Sequence, residues 1–271
     1  MNKELVLICL VCVFTATANA DDEVHPFISS KYTIKLGAYS SSRDFKLSVG
    51  TSVSGIAPEF DFERATGISE DHQVFMAEFK WRLGEKWSTR MQYFEADHGD
   101  KKVVLKENVY WRNQILAAGS NVTAGTNFSL TRVFLGRSFD RHATVDAGIG
   151  FGLHLLAIGS FVKPDFNTIG DFSAASVSGP MPNIGGWYFY SPSPKWIFGG
   201  RIDWLKASAG KFDGGILNVS AGANYQMFSH VGLGLSYQLF RLDVDVAESN
   251  WHGSINLEYT GPYFHISASF N

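Results

Sequence analysis

The sequence has no cysteine beyond position 12, no apolar run long enough to cross a bilayer as a helix, and no surplus of basic charge. Each absence excludes something. Cys9 and Cys12 both fall in the first twenty residues, so the rest of the chain holds no disulfide and no Cys-based metal site. The longest apolar run, Leu5 to Phe14, is about half of the roughly 20 residues a membrane helix needs. With 23 basic against 26 acidic residues the net charge is −3, which gives a nucleic-acid partner no electrostatic footing. A glycine-rich phosphate loop, a Walker motif and His-rich metal spacing are also missing, so no cofactor or metal is expected.

What the first twenty residues do contain is a secretory signal. Lys3 gives the positive start, Leu5 to Phe14 the apolar stretch, and Ala18-Asn19-Ala20 the small-x-small site. Val11 ahead of Cys12 is too large for a lipoprotein signal. The expectation is Sec export, cleavage after Ala20, and one domain over residues 21–271. Losing Lys3 and Glu4 removes one charge of each sign and leaves the net charge unchanged. An exported chain of this size without disulfides is ordinary for a bacterial envelope protein.

The mature sequence is dominated by period-two alternation. In ATVDAGIGFGLHLLA, residues Ala143, Val145, Ala147, Ile149, Phe151, Leu153 and Leu155 alternate with Thr144, Asp146, Gly148, Gly150, Gly152 and His154. The same pattern recurs in VFMAEFKWRL from Val74, KWIFGGRIDW from Lys195, GILNVSAGANYQM from Gly215 and VGLGLSYQL from Val231. Such runs are strands with one apolar face. Short turns at residues 84–86, 140–141, 192–194 and 228–229 alternate with longer segments such as 97–126 and 159–180, the signature of an up-and-down meander. The expected fold is all-β: a transmembrane antiparallel up-and-down β-barrel of about 12 strands, with 10 as the alternative. Near the C-terminus the alternation slips phase around Gly261-Pro262, read as a bulge within one long strand.

Alternation alone does not say which face meets water. The polar face is built mostly of glycine, serine and asparagine with isolated charges, whereas a soluble exterior carries dense lysine and glutamate. Glu78, Lys80, Arg82, Arg90, Asp146, His154, Arg201 and Asp203 therefore read as lumen-lining, and the charge-free apolar face as lipid-facing. Closure satisfies the backbone donors in hydrocarbon, which an open sheet does not. Trp81, Trp87, Tyr190, Trp196 and Tyr225 sit beside the short turns and Trp204, Tyr237 and Trp251 toward the other ends, as two interfacial girdles require.

Signal, meander, girdles and a terminal strand ending in Phe270 together resemble the small outer-membrane β-barrel proteins of Gram-negative bacteria. The resemblance covers the whole mature chain, with Asn271 after the aromatic residue as a departure. It implies periplasmic turns, extracellular loops, outer-membrane lipid as surroundings, and the barrel-assembly machinery as a partner during biogenesis.

Two functions follow as expectations. One is a non-enzymatic barrel, either a narrow pore admitting a small solute or a structural, loop-presenting barrel. The other is a lipid A-modifying ester hydrolase: His252-Gly253-Ser254 has the His-x-Ser spacing of PagL-type lipid A deacylases, with Glu258 on the same face, and His265-Ile266-Ser267 repeats the spacing. The flanking residues of that family are absent, which favours the non-enzymatic reading. Asp146 and His154, eight residues apart on one strand, are roughly 26 Å from each other and form no pair along it.

Overall fold

The computed structural model describes residues 24–50, 58–68, 71–112, 114–165, 174–209, 212–247 and 252–271. The signal segment and Trp251 lie outside the described residues. The chain forms β1 (Tyr32–Gly50), β2 (Phe60–Asp61), β3 (Asp71–Arg82), β4 (Trp87–Val104), β5 (Val109–Trp111), β6 (Gln114–Leu116), β7 (Asn121–His142), β8 (Val145–Pro164), β9 (Ala175–Ser193), β10 (Trp196–Ala209), β11 (Phe212–Gln226), β12 (Val231–Ala247) and β13 (His252–Phe270). Two short helices accompany them, α1 (Pro26–Ser29) and α2 (Phe62–Thr66).

Ten of these strands, β1, β3, β4 and β7 to β13, pair antiparallel in sequence order, and β13 closes on β1 from Tyr32↔Phe270 to Gly50↔His252. The barrel thus has the lower of the two expected strand counts. Strands as long as β7, with 22 residues, and β8, with 20, use up the sequence in fewer crossings. Much of what reads as loop is strand: the 97–126 segment carries β4 to Val104 and resumes as β7 at Asn121, and β8 continues to Pro164 before β9 starts at Ala175. The second short turn falls at Ala143-Thr144, not at Asp140-Arg141, because a bulge between Ser138 and Asp140 lengthens β7.

The expected bulge at Gly261-Pro262 does not exist. β13 keeps one register against β1 and against β12 throughout. The apparent slip has another cause. In the lower part of β13, Phe264 and Ile266 point outward at 56% and 48% exposure, while above it Ile255, Leu257 and Tyr259 point inward and are buried. The strand keeps its phase and the apolar residues change sides.

The same exchange occurs around the barrel. On β8, Ile149, Phe151, Leu153 and Leu155 face outward, then Leu156, Ile158 and Val162 face inward. On β12, exposed Leu233, Leu235 and Tyr237 give way to buried Phe240, Leu242 and Val244, with Arg241, Asp243 and Asp245 now outside. A belt of lipid-facing side chains therefore ends at one level, and above it the strands project as a soluble barrel with an apolar core. On β10 the belt runs from Trp196 to Trp204, roughly 26 Å of strand, of the order of the ~25 Å apolar band of an outer-membrane barrel. Trp81, Trp87, Tyr190 and Trp196 are exposed at its short-turn edge, and Trp204 and Tyr237 at its loop edge.

Candidate functional site

The inside of the barrel is the candidate site, and it has two storeys. In the lower one, within the lipid belt, inward positions carry charge. Arg132 and Asp203 are both fully buried, with Nη2 donating to Oδ1 at 2.7 Å and Nε 2.7 Å from Oδ2. Arg201 Nε stands 3.4 Å from Asp203 Oδ2, and its Nη2 donates to Gln92 Oε1 at 2.7 Å. Asp146 accepts from Trp187 Nε1 at 3.0 Å and Ser138 Oγ at 2.8 Å, with Arg90 Nη2 4.0 Å away. The Arg90 guanidinium lies over the Trp187 ring at 4.3 Å. Lys35 and Glu78 pair at 3.7 Å. Arginine suits this use because its planar fork binds carboxylates and stacks on aromatic faces at once.

The glycines of β8 make room for this network. A side chain at Gly148 would collide with the Trp187 ring, and one at Gly152 would crowd Asn183 and the Val133 carbonyl. Small residues on the polar face are thus the counter-shape of large inward side chains, not empty lining.

The lower end of the bore is stoppered by α1. Phe27 and Ile28 pack on Ile197 with Val24 and Phe189 against them. Lys80 donates its ammonium to the Phe27 carbonyl and stands 3.8 Å over the Phe27 ring, and Arg141 Nη2 donates to the Ile28 carbonyl at 3.3 Å. His25 caps α1, its Nδ1 accepting from the Phe27 N–H at 3.1 Å, and burial pushes the imidazole pKa down to about 4.

The upper storey is a continuous apolar core. Phe128 meets Tyr259 at 5.1 Å, Phe94 at 5.3 Å and Phe240 at 5.5 Å between ring centroids, and Tyr39 meets Phe94 at 5.8 Å. Over this knot fold α2, with Phe62 and Ala65 fully buried, and the β5–β6 hairpin, whose Trp111 is fully buried and joins β1 at Val49. Asp61 caps α2 by accepting from the Arg64 N–H at 2.7 Å, and Gly67 ends it in the left-handed conformation, φ 68°. Glu63 of α2 meets Arg43 Nε at 2.5 Å and accepts from the Phe45 N–H at 3.1 Å; burial nonetheless pushes its carboxyl pKa up.

Against the sequence-based expectations, Lys80, Arg90, Asp146, His154, Arg201 and Asp203 are buried on the inner face, Glu78 is half-buried there, and Arg82 is half-buried at the short-turn mouth. Asp146 and His154 stay apart: His154 Nε2 lies 3.5 Å from Asn218 Nδ2, and its ring 6.5 Å from Phe240. His252, Ser254 and Glu258 occupy alternate, half-buried positions on the outer side of β13. Glu258 is roughly 20 Å along the strand from His252, too far to orient it, and its carboxylate accepts from Arg241 Nη2 at 2.5 Å and Nε at 2.8 Å. The second pair is not hydrogen-bonded either: His265 stacks on Tyr263 at 4.8 Å with neither ring nitrogen bonded to Ser267, whose Oγ accepts from Asn224 Nδ2 at 2.9 Å. Sequence reading did not single out Arg132, Gln92, Phe27 or the upper aromatic knot. Arg132 carries a usable signal, an arginine in step with the apolar positions Leu130 and Phe134.

No protein-family model and no curated protein matches the chain. Solved structures do. The outer membrane protease OmpT from Escherichia coli aligns over 95% of this chain and 100% of its own, with TM-score 0.55 and 11% identity. The Ralstonia pickettii toluene transporter TbuX aligns over 91% of each chain at TM-score 0.39 and 7% identity. The attachment invasion locus protein Ail of Yersinia pestis covers 84% of this chain and 98% of its own at TM-score 0.32 and 7% identity. The first of these likenesses establishes the architecture: the chain has the fold of a small outer-membrane β-barrel protein.

Proposed function

We propose that this chain is a non-conducting outer-membrane barrel of the bacterial envelope whose working surface is the projecting loop end. The observation that carries this reading is the double closure of the bore. A guanidinium–carboxylate network with the α1 stopper occupies the lipid-embedded storey, leaving a cavity of about 70 Å³ beside Lys35, Glu78 and Arg201, and an aromatic knot capped by α2 and β5–β6 closes the storey above. A hydrated pore needs a continuous polar path, and the buried Phe94, Phe128, Phe240 and Tyr259 interrupt it. The narrow-pore alternative is disfavoured on this ground, and the distance of Glu258 from His252 disfavours the hydrolase.

The loop end, by contrast, is polar and exposed. Ser42, Asp44, Arg241, Asp243, Asp245 and Lys163 are exposed on strands that continue beyond the belt. A rigid scaffold carrying loops is where binding surfaces are usually built. Export by Sec, processing after Ala20 and insertion by the barrel-assembly machinery belong to the same reading. Planar-bilayer recording of the purified, refolded protein tests it: no ion-conducting steps are expected, and reproducible steps that vanish with an inactivating antibody would overturn it. Lipid A from cells expressing the protein is expected to keep its mass.

A further inference from the structure

Among the described residues the barrel wall opens at two seams: the β3–β4 ladder ends at Met76↔Phe94 although β3 continues to Asp71 and β4 to Val104, and a second opening lies between β9 and β10. The β9–β10 ladder ends at Ile184↔Trp204, although β9 continues upward to Ala175 and β10 to Ala209. On their other sides both strands stay paired, β9 with β8 up to Ala175↔Ser160 and β10 with β11 up to Ala209↔Phe212. The β9–β10 opening is thus flanked on both sides by fully paired strands. Its sequence is suited to it, because Pro180 and Pro182 occupy alternate positions of β9 and have no N–H to leave unpaired. Where an unpaired ladder borders hydrocarbon, each orphaned group costs several kcal/mol, roughly, and the two prolines remove donors from the stretch next to the belt edge.

Behind the seam lies a cavity of about 220 Å³, lined by Leu156, Ile158, Met181, Leu205, Leu242 and Val244 among others, with no charged side chain in its lining. Inward-facing Val177, Met181 and Leu205 are only half-buried, whereas Leu156, Ile158, Leu242 and Val244 opposite are buried, so access comes through the seam. The mouth is bordered by lipid-facing residues. Leu153 and Leu155 are the register partners of Pro182 and Pro180, and they, Ile184 and Trp204 are 45%, 46%, 54% and 52% exposed. The lower lip of the opening therefore meets membrane hydrocarbon, and its upper lip, with exposed Lys206 and Ser178, stands at and above the loop edge of the belt.

We propose that this lateral cavity takes an acyl chain of a membrane lipid, which enters sideways between β9 and β10. The cavity is smaller than the roughly 300–1,000 Å³ of a drug-sized site, which suits one narrow chain and not a ring system. Exposed Lys206, two positions beyond Trp204 on the outward face of β10, stands at the level where the headgroup of that lipid lies. The inference depends on the barrel and its lipid belt and is independent of whether the bore conducts.

Reconstitution into vesicles of phosphatidylethanolamine carrying a diazirine at the end of one acyl chain, followed by photolysis and peptide mass spectrometry, tests it. The expected adducts fall on inward Met181, Leu205 and Leu242 as well as on outward Leu155 and Trp204. A side chain at Gly179 meets no atom within 4 Å, so Gly179→Trp fills the cavity without disturbing the wall. That variant is expected to lose the inward adducts at least tenfold and to keep the outward ones, which also report that it has folded and inserted; Gly179→Leu gives an intermediate loss. Adducts on outward residues alone in the unaltered protein, or inward adducts that survive Gly179→Trp, would overturn the proposal.

Discussion

The lower and upper storeys of the barrel are built from the same strands with opposite polarity. On β8, Leu153 and Leu155 face hydrocarbon while His154 is buried inside; a few residues on, Ile158 and Val162 are buried inside and Lys163 is outside. The hydrophobic effect acts in both storeys, but the surroundings exchange roles. Where the outside is lipid, apolar side chains gain nothing by turning inward, and the interior is left for polar groups held by one another. Where the outside is water, burial of aromatic and aliphatic side chains becomes the driving term, at roughly 25 cal/mol per Å². The strands keep their parity, and the apolar residues move from the outward to the inward positions.

The contrast can be broken most severely from the inside. Asp203→Ala leaves Arg132 and Arg201 buried without their shared carboxylate, and a loss of about 3–5 kcal/mol is expected, read from urea unfolding in lipid vesicles. Next comes a pair of substitutions of equal outward parity. Leu153→Arg in the belt is expected to cost about 2–4 kcal/mol by the same measurement. Asp243→Arg above the belt should change stability little, and equal costs for the two would refute the placement of the boundary.

A smaller effect concerns the stopper. His25 is neutral when α1 is docked, with its pKa lowered from 6.5 to about 4, so the undocked segment binds more protons between those values. Docking is therefore strongest above pH 6.5 and weakens as pH falls toward 4. Proteolysis at residues 24–31 in intact barrels should accelerate over that window, and His25→Gln should flatten the dependence. The smallest effect is expected for Arg241→Ala, which removes an exposed pair with Glu258 and should cost no more than about 1 kcal/mol.

Most of the architecture was legible in the alternation, because a one-residue phase error would expose every wrong side chain. The change of storey was also written there, in a form easily misread. Adjacent apolar doublets mark it: Phe75-Met76, Tyr93-Phe94, Leu155-Leu156 and Tyr263-Phe264 each place one residue outside and one inside. At Tyr263-Phe264 the doublet looked like a phase slip and suggested a bulge. The lumen charges could be assigned a face from the same parity, but their partners could not, since Arg132 and Asp203 are 71 residues apart and meet only across the closed bore. The β9–β10 seam was hidden for a related reason. Pro180 and Pro182 were visible in the sequence, yet a proline says only that a donor is missing, not which neighbouring strand does without it.

Closure of the first strand on the last has a consequence for biogenesis. Tyr32 and Phe270, whose rings lie 5.6 Å apart, bring the two ends of the folded chain together as neighbours. A ribosome that stops early yields a curled sheet with two raw margins and no way to join them. The cylinder can close only after β13 has been delivered, so a chain that stops before His252 loses the closure and not merely a portion of the wall.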